Sequence, residues 1–364
     1  MIESIELDES NNLGTEKKYQ KLLKFLRTNS LIGDSKISLT INKAHKVSIK
    51  GGFKEVAEMS SESEYTNNEI GAQSIIKLMM ELIDDYKSDN TYKIILDGLD
   101  DVALPSENQI SSIGGLLNAV NEINNELIDK SIMIRIIVLC RTDIFDLVSD
   151  PNSNKIKQNS GIILSWASDR LDDRDGKLLK LLNLRAKLIT QSVPDVIDHY
   201  FPKNYRNQPI RSILLEQTRF LPRDMVRLMY YIQQVTQGEK VTEKNLREGI
   251  VAYSRDYFYS EILNETAGHI IDGSDKKLFQ LISSQKKAEF FYDEIDKHML
   301  DQGEDIDLKK VLRVLFNCSA IANITFNGKK SYFTFKYRSV NSEINFRDKI
   351  LLHRGLWRGL NLIE

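Results

Sequence analysis

Residues 93–101 read Lys93-Ile94-Ile95-Leu96-Asp97-Gly98-Leu99-Asp100-Asp101. The apolar run predicts a short strand, Tyr92–Leu96, that is covered on both faces and ends in acidic residues. Ligands of open α/β sheets bind beyond the carboxyl ends of the strands. We therefore predict that Asp97 holds Mg²⁺ directly or through water, and that Asp100 or Asp101 orients a water molecule or acts as a base. The alternative is a strand end followed by a solvated acidic turn.

A second strand end supports a site at this edge. Residues 132–140 form another β-rich run, and Arg141-Thr142-Asp143 follow it directly. A cation at a neighbouring strand end can sense or neutralise a terminal phosphate, and this is the role that we predict for Arg141. A surface ion pair between Arg141 and Asp143 is the alternative.

Helical patterns alternate with these strands. Apolar residues recur at helical spacing over Ile110–Ile128, between the two strands, and Gly161–Trp166 is a third β-rich run. This alternation predicts an α/β domain with a parallel sheet over residues 1–168. Further upstream, the sequence predicts helices over Tyr19–Leu26 and Ala72–Tyr86 and mostly loop over Ser48–Asn68.

Two further blocks follow the α/β domain. Residues 169–255 lack strand patterns, carry four prolines and contain two predicted helices, Lys177–Leu188 and Arg223–Gln234. We predict a helical subdomain there. Residues 256–364 contain three predicted short helices and then a hairpin, Ala320–Arg338, centred on Asn327-Gly328, a strong turn signal. The three helices are Lys276–Ser284, Ala288–His298 and Leu308–Phe316. Three helices followed by a hairpin predict a winged helix.

Composition excludes several classes of protein. The 364 residues carry 50 Lys plus Arg and 52 Asp plus Glu, so the chain is not a globally basic nucleic-acid coat. No apolar stretch approaches the roughly 18 residues of a membrane span, and the first twenty residues do not resemble a signal peptide. The two cysteines are far apart in sequence, which excludes a disulfide framework and fits a reducing cytoplasm.

The two strand ends together show a family resemblance. The string from Lys93 to Asp101, followed by a strand that ends in Arg-Thr-Asp, resembles the Walker B and sensor-1 regions of STAND-type P-loop ATPases, relatives of the AAA+ group. Downstream, Arg219-Phe220-Leu221-Pro222-Arg223-Asp224 is similar to the start of a helix in the lid of such ATPases. Further segments resemble a poorly characterised bacterial P-loop ATPase family. The resemblance runs from about residue 17 to the end of the chain.

The resemblance implies an ATP- and Mg²⁺-dependent switch that acts in signalling or in defence against phage. Asp97 would bind Mg²⁺, and Asp100 or Asp101 would position the attacking water. Arg141 would sense the terminal phosphate. In the lid, Arg219, Pro222 and Arg223 would approach the nucleotide and link lid movement to nucleotide state.

The chain departs from the family pattern at one motif. None of the 18 glycines begins or ends the Walker A loop, G-x-x-x-x-G-K-[ST], whose backbone amides and lysine cradle the phosphates. The chain therefore resembles the C-terminal larger part of an ATPase, with an incomplete P-loop NTPase-like sheet. A truncated start, a split gene and a degenerate protein are the three explanations that the sequence leaves open, and ATP hydrolysis by this chain stays open with them.

The alternative function is a non-enzymatic regulator. Residues 326–358 hold eight basic and two acidic residues, a net charge of +6, interleaved with aromatic residues. Lys329, Lys330, Lys336 and Arg338 would contact nucleic acid or a partner protein through the winged helix. Equally, the aromatic residues could build the core of the small domain while the lysines protect an edge strand. An incomplete sheet also predicts a homo-oligomer or a partner protein that covers its apolar edge.

Overall fold

The computed structural model describes residues 46–48, 69–71, 87–99, 107–148, 151–167, 176–189, 193–267, 269–270, 273–304, 306–328 and 330–362. The chain divides into two compact units, residues 1–162 and 163–364. The predicted helices Tyr19–Leu26 and Ala72–Tyr86 lie outside the described residues, and so does the predicted loop after Ser48.

Among its described residues, the first unit contains two small sheets. Strands β1 (Lys46–Ser48) and β2 (Glu69–Gly71) pair antiparallel. Strands β3 (Tyr92–Leu96) and β4 (Ile134–Val138) pair in parallel, and helix α1 (Glu107–Asp129) connects them. Both strands and this helix are confirmed at nearly their predicted positions. The prediction that the strands are covered on both faces is wrong, because Ile95 of β3 is 60% and Ile137 of β4 is 39% exposed. A strand, a crossover helix and a parallel strand form a βαβ unit.

Helix α1 packs against the sheet through one face and one amide. Its buried residues Ile113, Val120 and Leu127 are seven positions apart, which places them on the same side of the helix. The Asn124 side chain donates to the Ile136 carbonyl at 2.7 Å and accepts from its N–H at 2.8 Å. The amide therefore satisfies two backbone groups of β4 that would otherwise stay unpaired.

The prediction of a third strand over Gly161–Trp166 is wrong. After α2 (Thr142–Leu147) and α3 (Ser153–Asn159), residues 161–167 have no regular structure. No described strand pairs with this run. Ile162 and Leu164 are 87% and 78% exposed, whereas Trp166 packs partly buried against the core of the second unit. Among the described residues the parallel sheet has two strands, so the structure is mixed α/β and a wide P-loop-type parallel sheet is not observed.

The second unit begins with a helical segment. Its elements are α4 (Lys177–Lys187), α5 (Val196–Tyr200), β5 (Asn204–Tyr205), β6 (Gln208–Pro209), α6 (Ile210–Glu216), α7 (Pro222–Val235), α8 (Glu243–Tyr253), a π-helix (Ser254–Phe258) and α9 (Tyr259–Thr266). Both helices predicted for this segment are confirmed. Helices α7 and α8 approach closely because Gly249 has no side chain. A Cβ there would lie 2.6 Å from the Ile232 Cα.

Three helices and a four-stranded antiparallel sheet follow. They are α10 (Ser274–Gln285), β7 (Glu289–Phe290), α11 (Tyr292–Asp301), α12 (Leu308–Asn317), β8 (Ile321–Asn327), β9 (Lys330–Thr334), β10 (Lys349–Leu352) and α13 (Arg354–Trp357). The strand order is β7-β10-β8-β9. The predicted helix Ala288–His298 starts too early, because Phe290 pairs with Ile350 as a short strand before α11 begins.

The predicted hairpin is confirmed. Asn327 pairs with Lys330 at the end of the β8–β9 ladder. Gly328 follows Asn327 with a φ of +62°, a conformation that glycine adopts without strain. Asn327 is therefore the last residue of β8, and Gly328 follows the strand.

The main hydrophobic core of the second unit runs through both of these segments. Leu182 of α4, Leu228 of α7, Phe279 of α10, Leu312 of α12 and Leu352 of β10 belong to the same cluster of buried side chains. The helical segment and the small sheet therefore share one core rather than forming two separate ones. No helix in the described part of the chain is long and apolar enough to cross a membrane.

Candidate functional site

The two predicted strand ends meet at one edge of the parallel sheet. Leu96 pairs with Val138, and the Leu139 N–H donates to the Leu96 carbonyl at 2.8 Å. Because the strands are parallel and in this register, Asp97 and Arg141 both follow carboxyl ends at the same edge. This is the relationship that the sequence predicts for the two side chains.

The Asp97 carboxylate is exposed at this edge. Its Oδ1 accepts a hydrogen bond from the Gly98 N–H at 2.8 Å, and Gly98 has a φ of +82° that allows the chain to turn there. Arg141 is also exposed and occupies the N-cap position of α2. A carboxylate and a guanidinium at the same sheet edge match the charges of a metal–phosphate complex, since one attracts Mg²⁺ and the other a phosphate oxygen.

The other acids predicted for this edge are not described. Asp100 and Asp101 lie outside the described residues, as does the side chain of Asp143. Their roles remain predictions, and so does the alternative Arg141–Asp143 ion pair. Within the described ranges, no three His, Cys, Asp or Glu side chains converge as ligands for a metal ion.

In the second unit, Arg219 is part of a buried charge network at the start of α7. Its side chain is 3% exposed and that of Asp224 is 0% exposed. The Arg219 Nε lies 3.1 Å from Asp224 Oδ2, and the Arg219 backbone N–H donates to the same oxygen. Asp224, five positions after Arg219, therefore accepts hydrogen bonds from both the side chain and the backbone N–H of the arginine.

The network extends to two other helices. The Arg219 Nη1 donates to Glu265 Oε1 on α9 at 2.6 Å and to the Cys318 carbonyl at the end of α12 at 3.5 Å. The Tyr257 hydroxyl of the π-helix donates to Asp224 Oδ1 at 3.1 Å. One guanidinium therefore connects the helical segment to the segment that carries the small sheet.

The pKa values of the network are consistent with Arg219 joining these helices. Burial disfavours the charged guanidinium, but Asp224 and Glu265 outweigh burial and raise the pKa of Arg219 well above its usual value. Burial raises the pKa of Glu265 despite the neighbouring arginine. Arg219 is therefore permanently charged, and its hydrogen-bonding groups are engaged inside the protein. Contact with a nucleotide would require this network to open.

The two other predicted lid residues are near the surface of the same helix start. Pro222 is the first residue of α7, where a proline needs no hydrogen bond. The Arg223 side chain is 74% exposed and lies 3.3 Å from Glu261 Oε1. Of the predicted lid cations, Arg223 is thus the one exposed to solvent.

His353 also lies in this region. Its side chain is 1% exposed, its Nδ1 accepts from the Gly355 N–H at 3.0 Å, and its ring stacks on Phe258 at 4.9 Å. Burial, together with the positive charge of Arg219, lowers the pKa of His353 to about 3. Neither His353 nor Glu265 has a sequence motif that would have indicated its burial beside Arg219.

The basic residues predicted for the hairpin have different environments. Lys330 is exposed on β9, and Lys329 lies outside the described residues. Lys336 donates to the Ser342 carbonyl at 2.9 Å. Arg338 lies over the Phe220 ring, 5.5 Å from its centre. Lys336 and Arg338 therefore make contacts within the protein, whereas Lys330 is exposed to solvent.

The aromatic residues of the same segment divide into two groups. Phe335 is buried, and Tyr337 packs against the core. Phe326, Tyr332 and Phe333 on the hairpin are instead 68%, 51% and 41% exposed. Phe335 and Tyr337 thus agree with the interpretation that the aromatic residues of this segment build the core. The three hairpin residues instead expose their rings to solvent.

Comparison with known proteins finds one family model that matches part of the second unit. A family model described as the FunZ-associated C-terminal helical domain matches residues 176–260. This stretch spans α4 to the first residues of α9 and includes Arg219 and Asp224. No curated protein matches the chain, and no solved structure does.

Proposed function

We propose that the chain works as a nucleotide-dependent switch of the STAND type, in the cytoplasm, with ATP and Mg²⁺ as its ligands. The observation that carries this proposal is the common edge reached by Asp97 and Arg141, since parallel pairing of β3 and β4 brings both residues there. In this proposal Asp97 holds the metal and Arg141 contacts the terminal phosphate. Asp100 or Asp101 positions the attacking water in a form that hydrolyses ATP.

The second unit supplies the moving part in this proposal. We take residues 169–255 as a lid and residues 256–364 as a winged-helix-like domain. The order helix, strand, two helices, hairpin and returning strand, with its antiparallel sheet, supports the winged-helix assignment. The buried Arg219 network joins α7, α9 and α12, so the lid and the winged helix would move as one body when nucleotide binds.

Calorimetric titration of the full chain with ATP, with and without Mg²⁺, tests this function. We expect saturable binding that strengthens with Mg²⁺, and a loss of that Mg²⁺-dependent gain in Asp97→Ala. Asp129→Ala is the matched control, because Asp129 is an exposed carboxylate at the end of α1, away from the sheet edge. ATP binding that is equally strong in Asp97→Ala and in the control would reject the role of Asp97.

A second function is favoured by the exposed hairpin. Phe326 on β8 and Tyr332 and Phe333 on the edge strand β9 expose aromatic rings, and Lys330 of β9 is exposed as well. We propose, as the alternative, a non-enzymatic regulator whose winged helix binds nucleic acid or a partner protein. A gel-shift series with duplex DNA and RNA over a range of salt concentrations distinguishes a nucleic-acid ligand from a partner protein. Phosphate contacts predict affinity that falls steeply with salt and weakens in Lys330→Glu. Absence of binding at low salt excludes nucleic acid.

A further inference from the structure

Helix α12 has one buried face and one basic face. Its buried side chains belong to the core, and they are Leu308, Val311, Leu312, Leu315 and Phe316. Its exposed residues are Lys309, Lys310, Arg313 and Asn317. At 3.6 residues per turn, these four positions lie within a stripe about 100° wide. The helix therefore presents three cations and one amide together to solvent.

No acidic side chain neutralises the cations of this face. Among the described residues, none of the three forms an ion pair, and the ion pairs of this segment are formed by other side chains, among them Lys277, Lys336, Lys349 and Arg354. Asp307 precedes the helix, and its carboxylate accepts from the Lys310 backbone N–H at the helix start. The whole chain has 50 basic and 52 acidic residues, so this local excess of positive charge does not follow from composition.

Aromatic rings position two of the three cations. The Lys309 Nζ lies 5.5 Å from the centre of the Tyr292 ring on α11, and the Arg313 guanidinium lies 5.6 Å from the centre of the Phe346 ring. The two rings meet edge to face, 5.5 Å apart. The Tyr292 hydroxyl donates to Asp296, an acid of α11 rather than of α12. A cation over a ring keeps its full charge, so Lys309 and Arg313 are held in place without being neutralised.

The hairpin adds a cation on the same side of the small sheet as α12. Lys330 pairs with Asn327 across the β8–β9 ladder, and the side chains of such a pair share one face. Ile321 is six positions before Asn327 on β8 and so lies on this face as well. Ile321 belongs to the buried cluster that includes Leu312 of α12. Lys330, which is exposed, therefore extends from the sheet face that packs toward α12.

The shape and charge of this surface fit duplex DNA. An α-helix with its side chains is about 10–12 Å across, and the major groove of B-DNA is about 12 Å wide. Cations on the helix suit the phosphates that flank the groove, and the amide of Asn317 can pair with the edge of an adenine. The deep, narrow major groove of double-stranded RNA does not admit side chains in this way. An acidic polypeptide matches the charge alone.

We propose that α12 enters the major groove of duplex DNA through Lys309, Lys310, Arg313 and Asn317, while Lys330 contacts the phosphate backbone beside the groove. This inference rests on the second proposed function, and it assigns that function to duplex DNA rather than to a partner protein. It places the main contacts on the helix, with the hairpin as a secondary contact.

Two phenylalanines of the hairpin lie on the opposite side of the sheet. Phe333 pairs with Ile324, and Phe326 is two positions from Ile324 on β8, so the two phenylalanines share a face. Successive side chains of a strand alternate between faces, and this face is therefore the one opposite to Asn327. DNA binding should consequently not depend on Phe326.

Fluorescence anisotropy of a short mixed-sequence DNA duplex, titrated with the full chain at several salt concentrations, tests the role of α12. We expect the triple variant Lys309→Ala, Lys310→Ala, Arg313→Ala to bind about tenfold more weakly or worse. Its dependence of log affinity on log salt should become shallower by about one for each lost phosphate contact. Phe326→Ala should bind normally.

The matched control is a second triple variant, Arg185→Ala, Lys187→Ala, Lys244→Ala. It removes the same charge from exposed positions of α4 and α8, outside the proposed surface. Thermal unfolding shows whether each variant is folded. If the α12 triple variant is unfolded, Lys310→Ala alone is compared with Lys244→Ala.

Duplex RNA and single-stranded DNA of the same sequence, with poly-glutamate as a competitor, identify the class of ligand. We expect duplex DNA to bind most tightly and poly-glutamate to compete poorly. Tighter binding of RNA or of a single strand, or effective competition by poly-glutamate, would overturn the proposal.

The same titrations separate this inference from the function on which it rests. Equal DNA affinity in the two triple variants would overturn the role of α12. If that affinity is nevertheless lost in Lys330→Glu, the second proposed function stands with the hairpin as its contact. Absence of binding to every nucleic acid at low salt would overturn this inference and exclude nucleic acid from the second function as well.

Discussion

The Arg219 Nε and the Asp224 Oδ2 lie 3.1 Å apart at the start of α7, and both side chains are buried. Removal of one member of a buried ion pair leaves an uncompensated charge and costs about 3–5 kcal/mol. We therefore expect Asp224→Asn to lower the free energy of unfolding by an amount of this order, measured by urea denaturation.

The matched control for this prediction is Arg223→Ala. Arg223 lies in the first turn of the same helix, but its side chain is exposed where it pairs with Glu261, so its loss should cost less than about 1 kcal/mol. Replacement of both partners by apolar residues, Arg219→Met with Asp224→Leu, should be less harmful than Asp224→Asn alone. An unfolding free energy of Asp224→Asn equal to that of Arg223→Ala would show that the pair is not important for stability.

Burial of His353 predicts that acid destabilises the second unit. Its pKa is about 3 in the folded protein, below the usual value of an unfolded histidine, so the unfolded chain binds the additional proton between these two values. The neutral His353 ring makes its full contribution to the free energy of unfolding above about pH 6.5. This contribution falls as the pH decreases toward 3, by up to about 1.4 kcal/mol per pH unit.

His353→Asn separates this titration from other groups. Asparagine can accept the Gly355 N–H as histidine does, but it has no charge to gain in this range. Urea unfolding of both proteins at pH 4.5 and pH 7.5 gives the comparison. We expect the wild type to lose more stability than His353→Asn at pH 4.5. The same pH dependence in both proteins would contradict the assignment.

Close packing around Gly355 predicts a strong effect of one methyl group. A Cβ at this position would lie 2.7 Å from the Gln217 carbonyl oxygen and 2.9 Å from the Phe258 ring. Overpacking of this kind costs about 1–3 kcal/mol, so Gly355→Ala should lower the thermal midpoint by several degrees. Gly238→Ala is the control, because no atom lies within 4 Å of its Cβ position. Equal midpoints for the two variants would refute the packing argument.

Elements with strong local signals were predictable from the sequence. The Tyr92–Leu96 strand, the helix between the parallel strands and the Asn327-Gly328 hairpin were all confirmed, because hydrophobic periodicity and turn chemistry act over a few residues. The run Gly161–Trp166 has the same apolar character but no described strand as a partner, so it does not form a strand. Pairing depends on distant parts of the chain and cannot be read from a short run.

One part of the candidate site was predictable from the sequence and another part was not. Asp97 and Arg141 follow two strand ends that local patterns locate, so their shared edge could be inferred. The partners of Arg219 could not, since Glu265 and the Cys318 carbonyl are 46 and 99 residues away in sequence.

The most direct test of the account is a double-mutant cycle on Asp97 and Arg141. Affinity for Mg²⁺-ATP is measured for the wild type, Asp97→Ala, Arg141→Ala and the double variant. We expect each single change to weaken binding about tenfold or more, and the double change to weaken it less than the product of the two, because both residues act on one metal–phosphate complex. Unchanged affinity in the single variants, or losses that multiply without coupling, would contradict a shared site at this sheet edge.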